Sequence, residues 1–336
     1  MATNYKINGT DIEDIFESFT TVEQSEGGVT DSKFSDGSGR FKQNGADLKT
    51  ALGKTFPTSA GSYIGGANST TDYTAAGAAI DVALKGCRPI GILRATLGVG
   101  TWYINRVNGQ TWVSSSANSA SGTRINHDPK FIFLELQGGG GGGAGSELMG
   151  CSGGGGAGGY CFVVVEIPDG SYLRVVVGAG GAAGGDDANG SAGGATTLYD
   201  ASGSVIAQAN GGAGGHRRSD DTASGGTASG GSVNVSGGYG GGKEDAGGAV
   251  SAFTVTLPKP EQTQWTRGGF SGGSSNGNNY GGGGGASVFA AGANGDSRTT
   301  PSAAGTLGSG GAGAGFQSFQ QNAGTAGGDG FARVYY

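Results

Sequence analysis

His216-Arg217-Arg218-Ser219-Asp220-Asp221 puts an imidazole, two guanidiniums and two carboxylates together in a stretch otherwise built from Gly, Ala and Ser. Pro258 to Arg267 carries Trp265 and Arg267, Asn276 to Tyr280 carries Asn278 and Tyr280, and Phe316 to Asn322 carries Phe316 and Phe319. Asp296-Ser297-Arg298 completes this set of polar islands. Trp, Tyr and Arg are the side chains that anchor interfaces, because they combine large contact area with directional polar groups. Trp265, Arg267, Tyr280, Arg217 and Arg218 are therefore the leading candidate contacts for a binding partner, with His216, Asn278, Phe316 and Phe319 beside them. The competing reading is that each island only solubilises a surface of bare backbone.

Catalytic and ligand chemistry find no comparable footing. Gly53-Lys54-Thr55 has the ending of a phosphate-binding loop, but Leu48 stands where that loop needs Gly and no strand precedes it. With only His127 and His216, and with Cys87, Cys151 and Cys161 scattered, no metal-ligand spacing exists, and neither a metal nor an organic cofactor is expected. Asp186-Asp187 and Asp220-Asp221 lack calcium-loop spacing. No nucleophile and base can be singled out, so the chain is read as a non-enzyme.

The balance of charge narrows the partners. Net charge is −6 and no basic cluster is longer than Arg217-Arg218, so nucleic acid is not an expected partner. No apolar run reaches the length of a membrane span, and the first twenty residues lack the apolar core of a signal peptide. The expectation is a chain folded in the cytoplasm with free thiols.

The elements that would hold the polar islands follow from an extreme composition. Of 336 residues 78 are Gly, while Ile, Val, Leu and Phe together number only 57. Residues 1–130 hold 17 of the Gly and residues 131–336 hold 61. Three regions are expected: an arm over 1–62, a small β-rich domain over 63–129 and a glycine-rich head over 130–336. In the arm, Thr10-Asp-Ile-Glu13 has the form of a capping box, with Ile12, Ile15, Phe16 and Phe19 at helical spacing after it. So short a helix needs something to pack on, and residues 20–58 are polar, which suggests a segment ordered by a partner chain; the alternative is a helix that covers the chain's own second domain.

The middle region contains Thr101 to Val107, then Asn108-Gly109, then Gln110 to Ser114. Asn-Gly between alternating strands is the preferred type I′ hairpin turn, and it lays Trp102 and Trp112 on a sheet face. Ile90 to Val99 is a further strand. Beyond Lys130, Phe131 to Gln137 runs directly into Gly138 to Gly143, and Tyr160 to Ile167 reads as a pair with Ser171 to Val177 across Pro168-Asp169-Gly170. Thr196 to Tyr199 with Val205 to Gln208 forms another hairpin, Val250 to Leu257 a strand, and Phe331 to Tyr336 a last strand that closes the sheet.

An ordered Gly forfeits about 0.5–1 kcal/mol more than Ala, so tracts this long are flexible linkers unless something dense offsets that loss. Polyproline II-type helices packed side by side are the alternative. They have no internal hydrogen bonds, so their N–H and C=O groups can pair between neighbours, and only Gly allows the backbones close enough. On that geometry Ala and Ser belong on outer faces. Strands such as Val175-Val176-Val177 between the tracts argue against linkers.

The order of strand, poly-Gly run, Asp-Gly turn, strand and Gly-Ala-Gly-Gly resembles the glycine-rich domains of bacteriophage tail fibre and receptor-binding proteins. It runs through Phe131 to Gly143, Asp169 to Gly181, Gly193 to Tyr199 and Gly327 to Tyr336. The resemblance implies a mainly β head, a β-sandwich fused to a bundle of polyglycine II helices, whose loops contact a host bacterial surface receptor, an outer-membrane protein or a polysaccharide. It also implies that the segment Tyr5 to Phe16, with Ile12, Ile15, Phe16 and Phe19, attaches to other phage tail or baseplate proteins. The expected particle is a homotrimer in a virion assembled in the host cytoplasm, without membrane insertion. The alternative is a purely structural tail component with no receptor contact. A depolymerase is a third option.

Overall fold

A computed structural model of the chain describes residues 93–125, 129, 131–146, 150–217, 220–256, 264–275, 280–295, 303–316 and 322–335, together with six short strands in the first 92 residues. Two units are present, Met1–Ile90 with Pro258–Gln262, and Gly91–Leu257 with Thr263–Tyr336. In the first unit β1 (Lys6–Ile7) pairs with β2 (Thr10–Asp11), β3 (Lys42–Gln43) with β4 (Ala46–Asp47), and β5 (Thr74–Ala75) with β6 (Ala78–Ala79). Thr10 and Asp11 are thus in a strand rather than in the first turn of a helix. Ile12, Ile15, Phe16 and Phe19 lie outside the described residues.

The second unit is mainly β, with no helix among the described residues. It contains β7 (Leu93–Leu97), β8 (Gly100–Val107), β9 (Gln110–Ser114), β10 (Thr123–Ile125), β11 (Phe131–Gln137), β12 (Tyr160–Glu166) and β13 (Ser171–Val177). After these come β14 (Thr196–Tyr199), β15 (Val205–Ala209), β16 (Ala228–Ser229), β17 (Val233–Val235), β18 (Phe253–Thr256), β19 (Gln264–Arg267) and β20 (Phe331–Tyr335). A seven-stranded sheet runs β10-β9-β8-β13-β14-β15-β16 and a five-stranded sheet runs β17-β12-β11-β20-β7. All pairings are antiparallel.

The Asn108-Gly109 turn forms as its sequence dictates, with φ of 50° and 73°. The strands expected within 63–129 do not stand apart from the glycine-rich half. Here β8 pairs along its length with β13, Gly100 opposite Val177 and Arg106 opposite Ser171, while β7 pairs with β20. A local reading of the hairpin could not show a partner 65 to 77 residues away.

Tyr160 to Ile167 and Ser171 to Val177, expected as a pair, belong to different sheets. Both edges of β12 are taken, by β11 and β17, so the Pro168-Asp169-Gly170 corner, with Gly170 at φ 70°, carries the chain from one sheet to the other. Period-two alternation gives the inward residues of both sheets. Ile104, Leu173, Val175 and Leu198 of one meet Ile132, Leu134, Leu136 and Val334 of the other in a single apolar core.

The strand ends feed directly into glycine tracts. Along 138–146 the hydrogen-bond donors repeat every third residue. Gly138, Gly141 and Ala144 donate to Gly159, Gly156 and Gly153; Gly139, Gly142 and Gly145 donate to Gly194, Ser191 and Ala188; Gly140, Gly143 and Ser146 donate to Gly328, Thr325 and Asn322. The carbonyls of this tract accept from three further tracts, through Gly212 and Gly215, Gly181 and Gly184, and Gly311 and Ala314. One extended segment is thereby bonded to six others. A Cβ on Gly141 would lie 2.0 Å from the Ala213 carbonyl oxygen, and one on Gly143 1.8 Å from that of Ala312.

Alanine and serine are not confined to outer faces as expected: Ala144, Ala157, Ala312, Ala314 and Ser152 are buried. A methyl is admitted wherever its direction misses the neighbouring carbonyl. Ser152 adds a hydrogen bond from its Oγ to the Ala144 carbonyl at 2.8 Å.

Candidate functional site

Where several of these tracts run out, hydrogen bonds tie residues far apart in the chain to one another. The Ser146 N–H donates to the Asn322 carbonyl at 2.8 Å, and the Asp187 N–H to the Ser146 carbonyl at 3.0 Å. From the next turn Arg217 reaches Asp187, its Nη1 lying 2.8 Å from Oδ2 and donating to the backbone carbonyl at 2.9 Å, while its own N–H donates to Asn189 Oδ1. The His216 carbonyl accepts from Gly153 N–H at 2.9 Å. On the other flank Lys243 Nζ lies 3.4 Å from Asp220 Oδ1, and Cys151 Sγ donates to Glu244 Oε1. Asp187 and Glu244 sit at φ of 54° and 65°, the left-handed conformation of tight turns.

Ser146, Asp187 and Arg217 lie nine, ten and eight residues beyond the ends of β11, β13 and β15, and mark the far end of these tracts. Its described charges are mainly acidic, with Asp186, Asp187, Asp220, Asp221, Glu244 and Asp245 against Arg217 and Lys243. No group of three His, Cys, Asp or Glu that could hold a metal gathers among the described residues.

Of the nine candidate contacts, His216 and Arg217 lie at this end, half-buried and exposed respectively. Tyr280 precedes Gly282, which donates to Ser152, and Phe316 follows Gly315, whose carbonyl accepts from Asn322 Nδ2. Both are half-buried and belong to the same end. Arg218, Asn278 and Phe319 lie outside the described residues.

Trp265 and Arg267 are elsewhere. They occupy β19, which pairs with β18 as a two-stranded ribbon across the outer face of the five-stranded sheet. There Glu135 is completely buried. Its Oε1 accepts from Tyr160 Oη at 2.8 Å and from Arg267 Nε at 2.6 Å; its Oε2 accepts from Tyr335 Oη and from Arg267 Nη2 at 3.3 Å. Arg333 Nη1 stands 4.0 Å from Oε2. Trp265 packs on Tyr335 with ring centroids 4.7 Å apart, and Tyr160 touches both Phe253 and Phe289. Burial and then the Glu135 charge push the Tyr160 phenol far above its ordinary value, and burial with the Glu135 hydrogen bond pushes Tyr335 up to about 12. For Arg267 burial acts downward, yet the Glu135 hydrogen bond and charge outweigh it and the guanidinium is held more firmly protonated.

Sequence reading missed this cluster, because little in Phe131-Ile-Phe-Leu-Glu-Leu-Gln137 marks Glu135 as buried. The one signal was its interruption of an apolar run. A family described as a glycine-rich domain matches residues 115–336. No curated protein matches the chain.

Proposed function

The chain belongs to the glycine-rich domain family, and on that footing we propose that it is a bacteriophage tail fibre or tail-tip receptor-binding protein. In this reading the tracts are polyglycine II helices that hold loops against a receptor on a bacterial surface. The observation that carries it is the linking of tract ends far apart in the chain through the Ser146, Asp187 and Arg217 contacts. Loops ordered beforehand lose less entropy on binding than free ones. The donor period of three residues along 138–146 equals the three residues per turn of polyglycine II and supports that form for the tracts.

Adhesion, not turnover, is the activity. His216, Arg217, Arg218, Tyr280, Asn278, Phe316 and Phe319 are the contacts, while Trp265 and Arg267 hold the ribbon to the sheet. The arm with Ile12, Ile15, Phe16 and Phe19 joins the chain to other tail proteins and to two further copies. A monomeric mass in sedimentation at high concentration would remove the trimer from this proposal.

The test uses the full chain and outer-membrane fractions from a panel of bacteria. Saturable binding to at least one fraction is expected, and it should disappear when residues 216–221 and 316–322 are replaced by Gly-Ser segments of equal length, with the melting temperature kept. Binding that survives the replacement, or no binding across the panel, would sink the adhesive reading in favour of a structural component.

A further inference from the structure

Below the Lys243 turn, an open cleft of about 510 Å³ is lined by Thr222, Tyr239, Asp245 and Ala246. Tyr239 is 49% exposed, and one edge of its ring lies against Gly248. A Cβ on Gly248 would meet ring atoms Cδ1 and Cε1 at 2.5 and 2.7 Å, so one edge of the ring rests on glycine backbone where no other residue would leave room. The Gly248 N–H donates to the Tyr239 carbonyl at 2.7 Å. The backbone of Asp245 is equally held, its N–H donating to Gly242 and its carbonyl accepting from Gly283 N–H. Among the described residues neither the Tyr239 hydroxyl nor the Asp245 carboxylate has a side-chain partner. The cleft therefore presents an aromatic ring and a carboxylate, both on fixed supports and both open to solvent.

A comparable pair of groups occurs elsewhere among the described residues, where its complement is visible. Arg267 lies between the carboxylate of Glu135, at 2.6 Å, and the rings of Trp265 and Phe289, with centroids 5.0 and 5.7 Å from its guanidinium carbon. An aromatic face attracts a cation through its quadrupole, and a carboxylate adds charge and hydrogen-bond acceptors. The residues next to the cleft in the sequence are mainly acidic. Asp220, Asp221 and Glu244 stand near it in the chain with Lys243, which pairs with Asp220. An anionic polysaccharide would be repelled, and a neutral sugar could stack on the ring but would gain nothing from the charge.

We propose that the Tyr239–Asp245 cleft binds a Lys or Arg side chain of a protein partner. The identity of that partner as the receptor rests on the adhesive reading above; the binding of a basic side chain does not.

The experiment titrates the full chain with acetyl-Gly-Arg-Gly-amide and acetyl-Gly-Lys-Gly-amide, followed by saturation-transfer NMR. Acetyl-Gly-Gln-Gly-amide and N-acetylglucosamine serve as neutral probes. The basic peptides should bind at least about tenfold more tightly than either neutral probe, and more weakly as salt screens the charge. Asp245→Asn, which keeps shape and removes charge, should abolish that preference. Tyr239→Phe should keep it and Tyr239→Leu should lose it. Equal binding of the Gln peptide, preference for the sugar, or no effect of Asp245→Asn would overturn the proposal, and the Asn variant decides even if the Leu variant fails to fold. The two readings fail separately. Basic peptides that bind while no membrane fraction does would leave the cleft standing without adhesion. Fractions that bind undiminished after protease treatment would leave adhesion standing and remove the cleft from it.

Discussion

In the paired sheets, Ile104, Leu134 and Val175 are buried against other side chains, whereas around Gly141 and Gly143 backbone is buried against backbone. The first arrangement is the ordinary one, in which apolar area leaves water and several alternative residues would serve. In the second, the contact surface consists of N–H and C=O groups, each of which must find a partner once water is excluded. The tracts meet that condition by giving every successive residue of 138–146 a different neighbouring tract. The difference teaches that a chain short of large apolar residues can still fill an interior, provided close approach replaces side-chain volume.

The junction between these regions should be the most sensitive. Glu135→Ala leaves Arg267 beside a buried face without its carboxylate and frees two phenols, so a loss of about 3–5 kcal/mol is expected in denaturant unfolding. A change below about 1 kcal/mol would mean that the ribbon is held by its rings alone.

Within the tracts, Gly143→Ala and Gly185→Ala make a matched pair. The first drives a methyl into the Ala312 carbonyl, and the second meets nothing within 4 Å. Expected losses are about 2–3 kcal/mol for the first and within about 0.5 kcal/mol of zero for the second. Equal effects would show that the tracts yield to accommodate side chains.

Alkaline pH tests the five-stranded sheet, whose strands β12 and β20 carry Tyr160, Cys161 and Tyr335. Burial pushes Cys161 up to about 12 from 9.0, and Tyr335 rises to about 12 from 10.0, with Tyr160 displaced in the same direction. The folded state therefore keeps these protons after the unfolded chain has released them. Stability should be level below about pH 9 and fall steadily towards pH 12. A flat profile across that window would contradict the burial of these groups.

Arg217→Ala is also expected to have a small effect. Its pair with Asp187 is exposed to solvent, so a loss of about 0.5 kcal/mol or less should accompany any change in binding.

The hairpin at Asn108-Gly109 was legible because its information is local: alternation on either side and a dipeptide suited to positive φ. Pro168-Asp169-Gly170 carries the same kind of signal and misled, since a tight turn says that the chain reverses but not which sheet receives it. The candidate contacts were legible only as residue types. Arg217 and Arg267 look alike in sequence, each beside glycine and polar residues, yet one lies at the far end of the tracts and the other against Glu135.

What the sequence determined by itself was the material: strands wherever β-branched and aromatic residues alternate, and tracts in which most positions admit only Gly. These follow from steric and hydrogen-bonding properties of a few consecutive residues. Tertiary structure alone decided which strand entered which sheet, which carboxylate was buried, and which turns came together. Those outcomes depend on partners far along the chain, and a backbone without side chains carries no local mark of the neighbour it will meet.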